Sequence, residues 1–305
     1  MDHDQRFKTL LKEFPEDFFR LFFPEWAERF DFSEVEWLEQ EFFADPPEGT
    51  RGVLDLVAKL KERRPSSGQQ RETPGTWLSL IHIEIESRDS AATFRRRFHW
   101  YYTNLRHRHE LPVLPVALYL RVGLDGIGTD QYTEDYGPLE ILRFSFLYVG
   151  LPRLDSLEYL EKGNDLGLAL TALMNVPRDR RAWLNAESIR RVGQSEENEF
   201  RKFLLAECIQ TYLALDDPAE QDEFQRLLDS EQYREVKTMA TTWFEEGIEQ
   251  GLVEFREALV DQLQERFGTV SEAARQRIEH FSRDELRELA RRLINAESLE
   301  ELHLE

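Results

Sequence analysis

The run Trp77–Ser87, WLSLIHIEIES, is almost perfectly periodic. Successive side chains of a strand point to opposite faces. Leu78, Leu80, His82, Glu84 and Glu86 therefore share one face, and Ser79, Ile81, Ile83 and Ile85 share the other. The isoleucines require a core. The opposite face carries three ionisable groups in a row on what should be a half-buried sheet, a pattern that an ordinary surface strand can also carry.

The preceding strand-like run is Gly52–Leu60, GVLDLVAKL. Asp55 stands there among Val53, Leu54, Leu56 and Val57, where a carboxylate without a partner is costly to desolvate. An Asp on one strand and a Glu-x-Glu on its neighbour can aim carboxylates at one point. Oxygen donors in that arrangement suit a hard cation such as Mg²⁺, which takes one or two carboxylates plus water and substrate phosphate.

These residues resemble the PD-(D/E)XK nuclease superfamily, whose signature is an Asp on one strand and Glu/Asp-x-Lys on the next. More narrowly, the chain resembles the Rpn family of recombination-promoting nucleases and transposase-like proteins. DHDQRFKTLL at Asp2–Leu11 is similar to that family's opening helix. DLVAKL at Asp55–Leu60 is similar to its Asp strand, IHIEIES at Ile81–Ser87 to its Glu strand, and FRRRFHWYY at Phe94–Tyr102 to its Arg-rich helix. Position 86 departs from the pattern. The superfamily has Lys there and Rpn-like groups commonly have Gln, whereas this chain has Glu86. Glu86 can bind metal or accept a proton but cannot supply the cation. The resemblance implies a Mg²⁺-dependent DNA endonuclease, with Mn²⁺ as an alternative ion. Asp55 and Glu84 would be its metal ligands and Asp55, Glu84 and Glu86 its catalytic residues.

The chain has 305 residues, enough for one sizeable domain and a smaller one. No apolar run reaches the roughly 18 residues that span a bilayer, and the N-terminal stretch is too charged to read as a signal peptide. A single cysteine, Cys208, excludes an internal disulfide framework and a Cys-rich zinc site; a cytoplasmic setting is expected. The net charge of −21 argues against broad adhesion to nucleic acid. DNA contact then requires a local basic patch, and Arg95, Arg96 and Arg97 on the predicted helix Ser90–Arg108 supply one next to the carboxylate strand. Arginine suits bidentate phosphate contact, although charge runs also serve as solvated helix faces.

The remaining elements set the architecture. Asp4–Phe23 has the apolar spacing of an amphipathic helix, with Asp4 as N-cap and Pro15 forcing a kink or a division into two short helices. Phe32–Phe43 reads as a first strand, Pro112–Val122 and Leu139–Val149 as two later ones, and Gly123–Gly137 as a loop. Lys59 shares a strand face with Asp55 but lies roughly 13 Å along it, which suits a solvent-facing position. The order is α/β, a PD-(D/E)XK-like mixed sheet flanked by helices over residues 1–163. Helices at Leu166–Met174, Arg178–Arg191, Glu196–Leu215 and Ala219–Leu228 make residues 164–237 a helical extension. Residues 238–305 read as a helical C-terminal domain. There Gly247 and Gly251 lie one helical turn apart and hint at self-association into a homo-oligomer, a dimer being the expected form. Capping boxes open helices at Ser282 and Ser298.

Two functions compete on this reading. One is the metal-dependent endonuclease, possibilities including a link to recombination or mobile elements. The other is a catalytically decayed nuclease fold acting as an acidic helical protein-interaction module, which the charge and Glu86 favour.

Overall fold

A computed structural model describes residues 3–38, 42–45, 50–53, 55–63, 78–86, 91–234 and 236. In the C-terminal part it describes 256, 259–260, 263–264, 267, 271–281, 285–286, 289 and 302. The chain divides into two compact units, Met1–Lys237 and Thr238–Glu305.

The first unit is a mixed α/β structure around a six-stranded sheet flanked by helices. Its strands are β1 (Phe30–Leu38), β4 (Leu56–Glu62), β5 (Leu78–Glu86), β6 (Val113–Tyr119), β7 (Gly126–Tyr136) and β8 (Leu139–Gly150). β2 (Phe42–Asp45) and β3 (Thr50–Val53) form a separate antiparallel hairpin. The large sheet has the order β1-β4-β5-β6-β8-β7. β1/β4 and β4/β5 are antiparallel, β5/β6 and β6/β8 parallel, and β8/β7 antiparallel. The parallel step from β5 to β6 needs a crossover, and α4 (Ala91–His109) provides it.

Helix α4 is held to the sheet by its apolar stripe. Phe94 and Phe98 are buried with Ala117, Tyr119, Phe144 and Phe146, and one turn further on Tyr101 and Leu105 are buried with Val57 and Leu80. Central strand β5 is consequently buried on both faces; only Leu78 and Ile85 are partly exposed. The half-buried sheet face expected around His82 is thus covered by α4. At the end of β8 the chain passes so close to Leu124 that a Cβ on Gly150 would run into the Leu124 carbonyl oxygen, which explains glycine there.

Pro15 divides the first amphipathic stretch into α1 (His3–Glu13) and α2 (Pro15–Phe22), where proline occupies the first helical position. Phe7, Leu10, Leu11, Phe14, Phe18, Phe19 and Phe22 are all buried. Asp4 is the second residue of α1 rather than its cap. A four-residue turn, α3 (Pro24–Ala27), leads into β1.

Three expectations require correction. The run Gly52–Leu60 is not one strand: β3 ends at Val53, Asp55 lies in a bend, and β4 starts at Leu56. The presumed loop Gly123–Gly137 is mostly strand β7, whose polar sequence follows from its place at the sheet edge, beside β8 only. Likewise the first strand ends at Leu38, and Phe42 and Phe43 belong to the hairpin.

The same unit continues through α5 (Ser156–Leu160), α6 (Asp165–Leu170), α7 (Arg181–Gln194), α8 (Glu199–Tyr212) and α9 (Pro218–Leu228). Side-chain caps open most of them: Asp155, Asn164, Asn198 and Asp217 each accept from backbone N–H groups of the first turn. This layer is tied to the first two helices. Asn164 Nδ2 donates to Asp17 O at 3.1 Å, Arg201 Nη2 donates to Glu13 O at 2.9 Å, and Tyr212 meets Phe7 edge to face.

In the second unit Leu259, Leu263, Ala274, Ile278, Leu286, Leu289 and Leu302 form a buried apolar cluster. Ser271 caps a helix over Glu272–Glu279. Residues 256, 259–260, 263–264 and 267 of the expected helix Thr238–Phe267 are helical, while Gly247, Gly251, Ser282 and Ser298 lie outside the described residues.

Candidate active site

Because β4 and β5 run antiparallel, the start of β4 lies beside the end of β5. Leu56 pairs with Ile83, so Asp55, one residue earlier, falls opposite Glu84. The two are interlocked through the main chain. Asp55 N–H donates to Glu84 Oε2 at 3.4 Å, and Ile85 N–H donates to Asp55 Oδ2 at 2.7 Å. Glu84 is only 4% exposed.

Burial raises both acids above their ordinary range. Asp55 is pushed up to about 6, first by loss of solvent and then by the charge of Glu84, with Lys8 pulling the other way. Glu84 is pushed up to about 8, chiefly by burial, against the opposing pull of Arg97, the Asp55 N–H and Lys8. Loss of solvent disfavours the charged form of a carboxyl group, and here it outweighs the nearby cations.

His82 lies one strand step from Glu84 on the same face, fully enclosed beneath Phe98 and Tyr101, with its ring centroid 5.1 Å from that of Phe98. Its Nε2 is 3.1 Å from Glu84 Oε2, and its Nδ1 has no hydrogen-bond partner among the described residues. Burial lowers its pKa to about 4, so the ring is neutral near pH 7. With the proton assigned to Nε2, the ring donates to Glu84 and leaves a lone pair, rather than a buried N–H, against the aromatic rings. His82 therefore orients Glu84.

Glu86 points to the same side and is likewise buried, and its Oε2 accepts from Arg97 Nη2 at 2.6 Å. The Arg97 guanidinium also lies 5.6 Å from the Phe94 ring centroid. Glu86 pairs across the parallel ladder with Tyr119, whose hydroxyl is buried with no hydrogen-bond partner among the described residues; burial raises the Tyr119 pKa.

The three arginines of α4 do not present one common patch. Arg97 faces Glu86. Arg95 makes a two-pronged contact to Asp130 of β7, at 2.6 and 3.2 Å, and Arg96 is exposed. Consecutive helical residues diverge by about 100°, which accounts for the separation. Arg106 and Arg108 sit in the last turn of α4 with His107 and His109, where positive charge complements the helix dipole. Lys59 pairs with Glu36 of β1 at 2.8 Å, away from Asp55.

The sequence reading missed Lys8. This α1 residue is buried, and its Nζ is 2.7 Å from Asp55 Oδ1. A signal did exist: Lys8 precedes Leu11 by three residues and so shares part of the apolar face.

Among the described residues, no group of three or more His, Cys, Asp or Glu is gathered so as to hold a metal ion. Asp55 and Glu84 alone supply two carboxylates. Mg²⁺ commonly takes one or two, completing its shell with water and phosphate, so this donor set fits that ion. No family model, curated protein or solved structure matches the chain.

Proposed function

We propose that the first unit is a Mg²⁺-dependent DNA endonuclease of the PD-(D/E)XK type, related to the Rpn group. The interlocked, buried pair of Asp55 and Glu84 at adjoining strand ends carries this reading. Two acids held at such a cost in desolvation are hard to account for as packing alone.

Asp55 and Glu84 would hold the divalent ion. When bound, the ion supplies an acidified water and offsets charge on the phosphate. His82 fixes the Glu84 carboxylate through its Nε2–H. Glu86, paired with Arg97, would receive the proton of the attacking water at a carboxylate oxygen. The water oxygen would form the new bond to phosphorus as the bond to the departing sugar oxygen breaks, that oxygen taking a proton from solvent. Arg96, exposed on α4, would contact the DNA backbone, while Arg95 and Arg97 are held by Asp130 and Glu86.

The test is cleavage of plasmid DNA by the full chain in Mg²⁺ or Mn²⁺. Asp55→Asn and Glu84→Gln should each abolish cutting while leaving the fold intact, because each removes metal-binding charge and preserves size. Cleavage that survives Asp55→Asn at an undiminished rate overturns the assignment.

A second reading draws on a separate observation: the chain's own cations already sit on two of these acids, Lys8 on Asp55 and Arg97 on Glu86. On that reading the fold no longer hydrolyses DNA and acts as an acidic interaction module. Wild-type protein would then be inert with either metal, and Glu86→Lys would be the substitution to restore activity.

A further inference from the structure

The strand that carries Glu84 has no cation two residues later, since Glu86 stands there. A cation reaches the acid pair from elsewhere. Helix α1 is fixed against the core by Phe7, Leu10, Leu11 and Phe14, all buried, and Lys8 extends from that helix to Asp55. Its side chain is 8% exposed and its Nζ lies 2.7 Å from Asp55 Oδ1. Lysine is almost never so deeply enclosed unless paired.

The other Asp55 oxygen, Oδ2, already accepts the Ile85 N–H. Both oxygens of the carboxylate are therefore engaged. A divalent cation that takes Asp55 as a ligand meets a like charge at Oδ1. At so short a range and in a poorly solvated place that repulsion is large compared with thermal energy.

We infer that Lys8 is a positioning residue of this site, a resident counter-cation that seats Asp55 and competes with the divalent ion for its Oδ1. The inference rests on the reading of Asp55 and Glu84 as the metal pair. It gives α1 a role in setting metal affinity, so that the ion enters fully only at the expense of the Lys8–Asp55 contact.

The decisive measurement is Mn²⁺ binding to the full chain at pH 8.5, followed by the electron paramagnetic resonance signal of free Mn²⁺ and by thermal unfolding. Lys8→Met should bind Mn²⁺ at least about tenfold more tightly than wild type, because a like charge is removed. Without metal the same variant should unfold at a lower temperature, and added Mn²⁺ should raise that temperature more than in wild type. Lys8→Arg, which keeps the charge, should bind as wild type does, and Lys8→Met combined with Asp55→Asn should lose the gain. Should Lys8→Met fail to fold, Lys8→Gln takes its place as the neutral variant. Equal or weaker Mn²⁺ binding by the neutral variants than by wild type overturns the role of Lys8 and leaves the metal site standing. Absence of Mn²⁺ binding in wild type and every Lys8 variant overturns the metal reading and this inference together.

Discussion

Glu84 and His82 shift in opposite directions, and their windows overlap below pH 6.5. Glu84 is raised from about 4.5 to about 8, so between those values the folded chain holds a proton that the unfolded chain has released. Stability from this group is complete at low pH and is lost as pH rises toward 8. Asp55, raised to about 6, acts in the same sense. His82, lowered from about 6.5 to about 4, makes the unfolded chain the better proton binder, so its contribution grows from pH 4 to 6.5. Above pH 6.5 the carboxylates act unopposed. Metal-free protein should lose stability between pH 6.5 and 8, by at most about 2 kcal/mol for one proton, and Glu84→Gln should flatten that slope. Denaturant melts at the two pH values decide it. Glu86→Gln is the companion test of chemistry: cleavage should slow yet persist if Glu86 accepts the proton, since an amide retains the hydrogen bond from Arg97 but is a poor base. Asp55, Glu84 and Glu86 were legible because acids on an apolar or alternating strand are locally anomalous. Lys8 carried only the weak signal of its place beside the apolar face of α1, which points to no partner until the fold brings Asp55 to it.

Helix α4 binds the site together more tightly than its sequence suggests. The aromatic stripe of Phe94, Phe98 and Tyr101 was readable from helical spacing, and it seals the face of β5 that bears His82. The arginines between those aromatics were legible as residues but not in direction. Only the partners Asp130 and Glu86, on β7 and β5, reveal where Arg95 and Arg97 go. Strand β7 itself was missed because an edge strand with one neighbour needs little apolar sequence. The division at Asp55 was missed because periodicity continues through the bend. Phe98→Ala should cost about 3–5 kcal/mol, as removal of a buried ring does, and should also free the His82 ring. An imidazole nuclear magnetic resonance titration would then report a His82 pKa moving up from about 4 toward its ordinary value. A stability loss with the His82 titration unchanged would mean that Phe98 packs the core without enclosing the histidine.

At the scale of the whole chain, the boundary between the two compact units falls after Lys237, and the side chains before it explain why. Tyr233 and Val236 are both buried in the first unit, and the Tyr233 hydroxyl donates to Glu187 on α7 at 3.1 Å. Burial alone would raise the Glu187 pKa; hydrogen bonds from Arg190, Arg191 and Tyr233 instead draw it down to about 2. The sequence itself separates residues 164–237 from 238–305, and the units divide after Lys237. A chain ending at Tyr233 therefore discards Val236, whereas one ending at Lys237 keeps both anchors. The second unit is short, and a single core of that size rarely supplies more than about 3–5 kcal/mol. Association with another copy would add to what the buried cluster of Leu259, Leu263, Ala274, Ile278 and neighbours supplies. Residues 1–237 should fold cooperatively with an unchanged melting temperature for the first unit, and, if residues 238–305 carry self-association, light scattering should show a monomer for the truncated chain and a dimer for the full chain. If the truncated and full chains have the same oligomeric state, residues 238–305 do not carry self-association. A first unit that melts lower after truncation at Lys237 would mean that the second unit supports it directly.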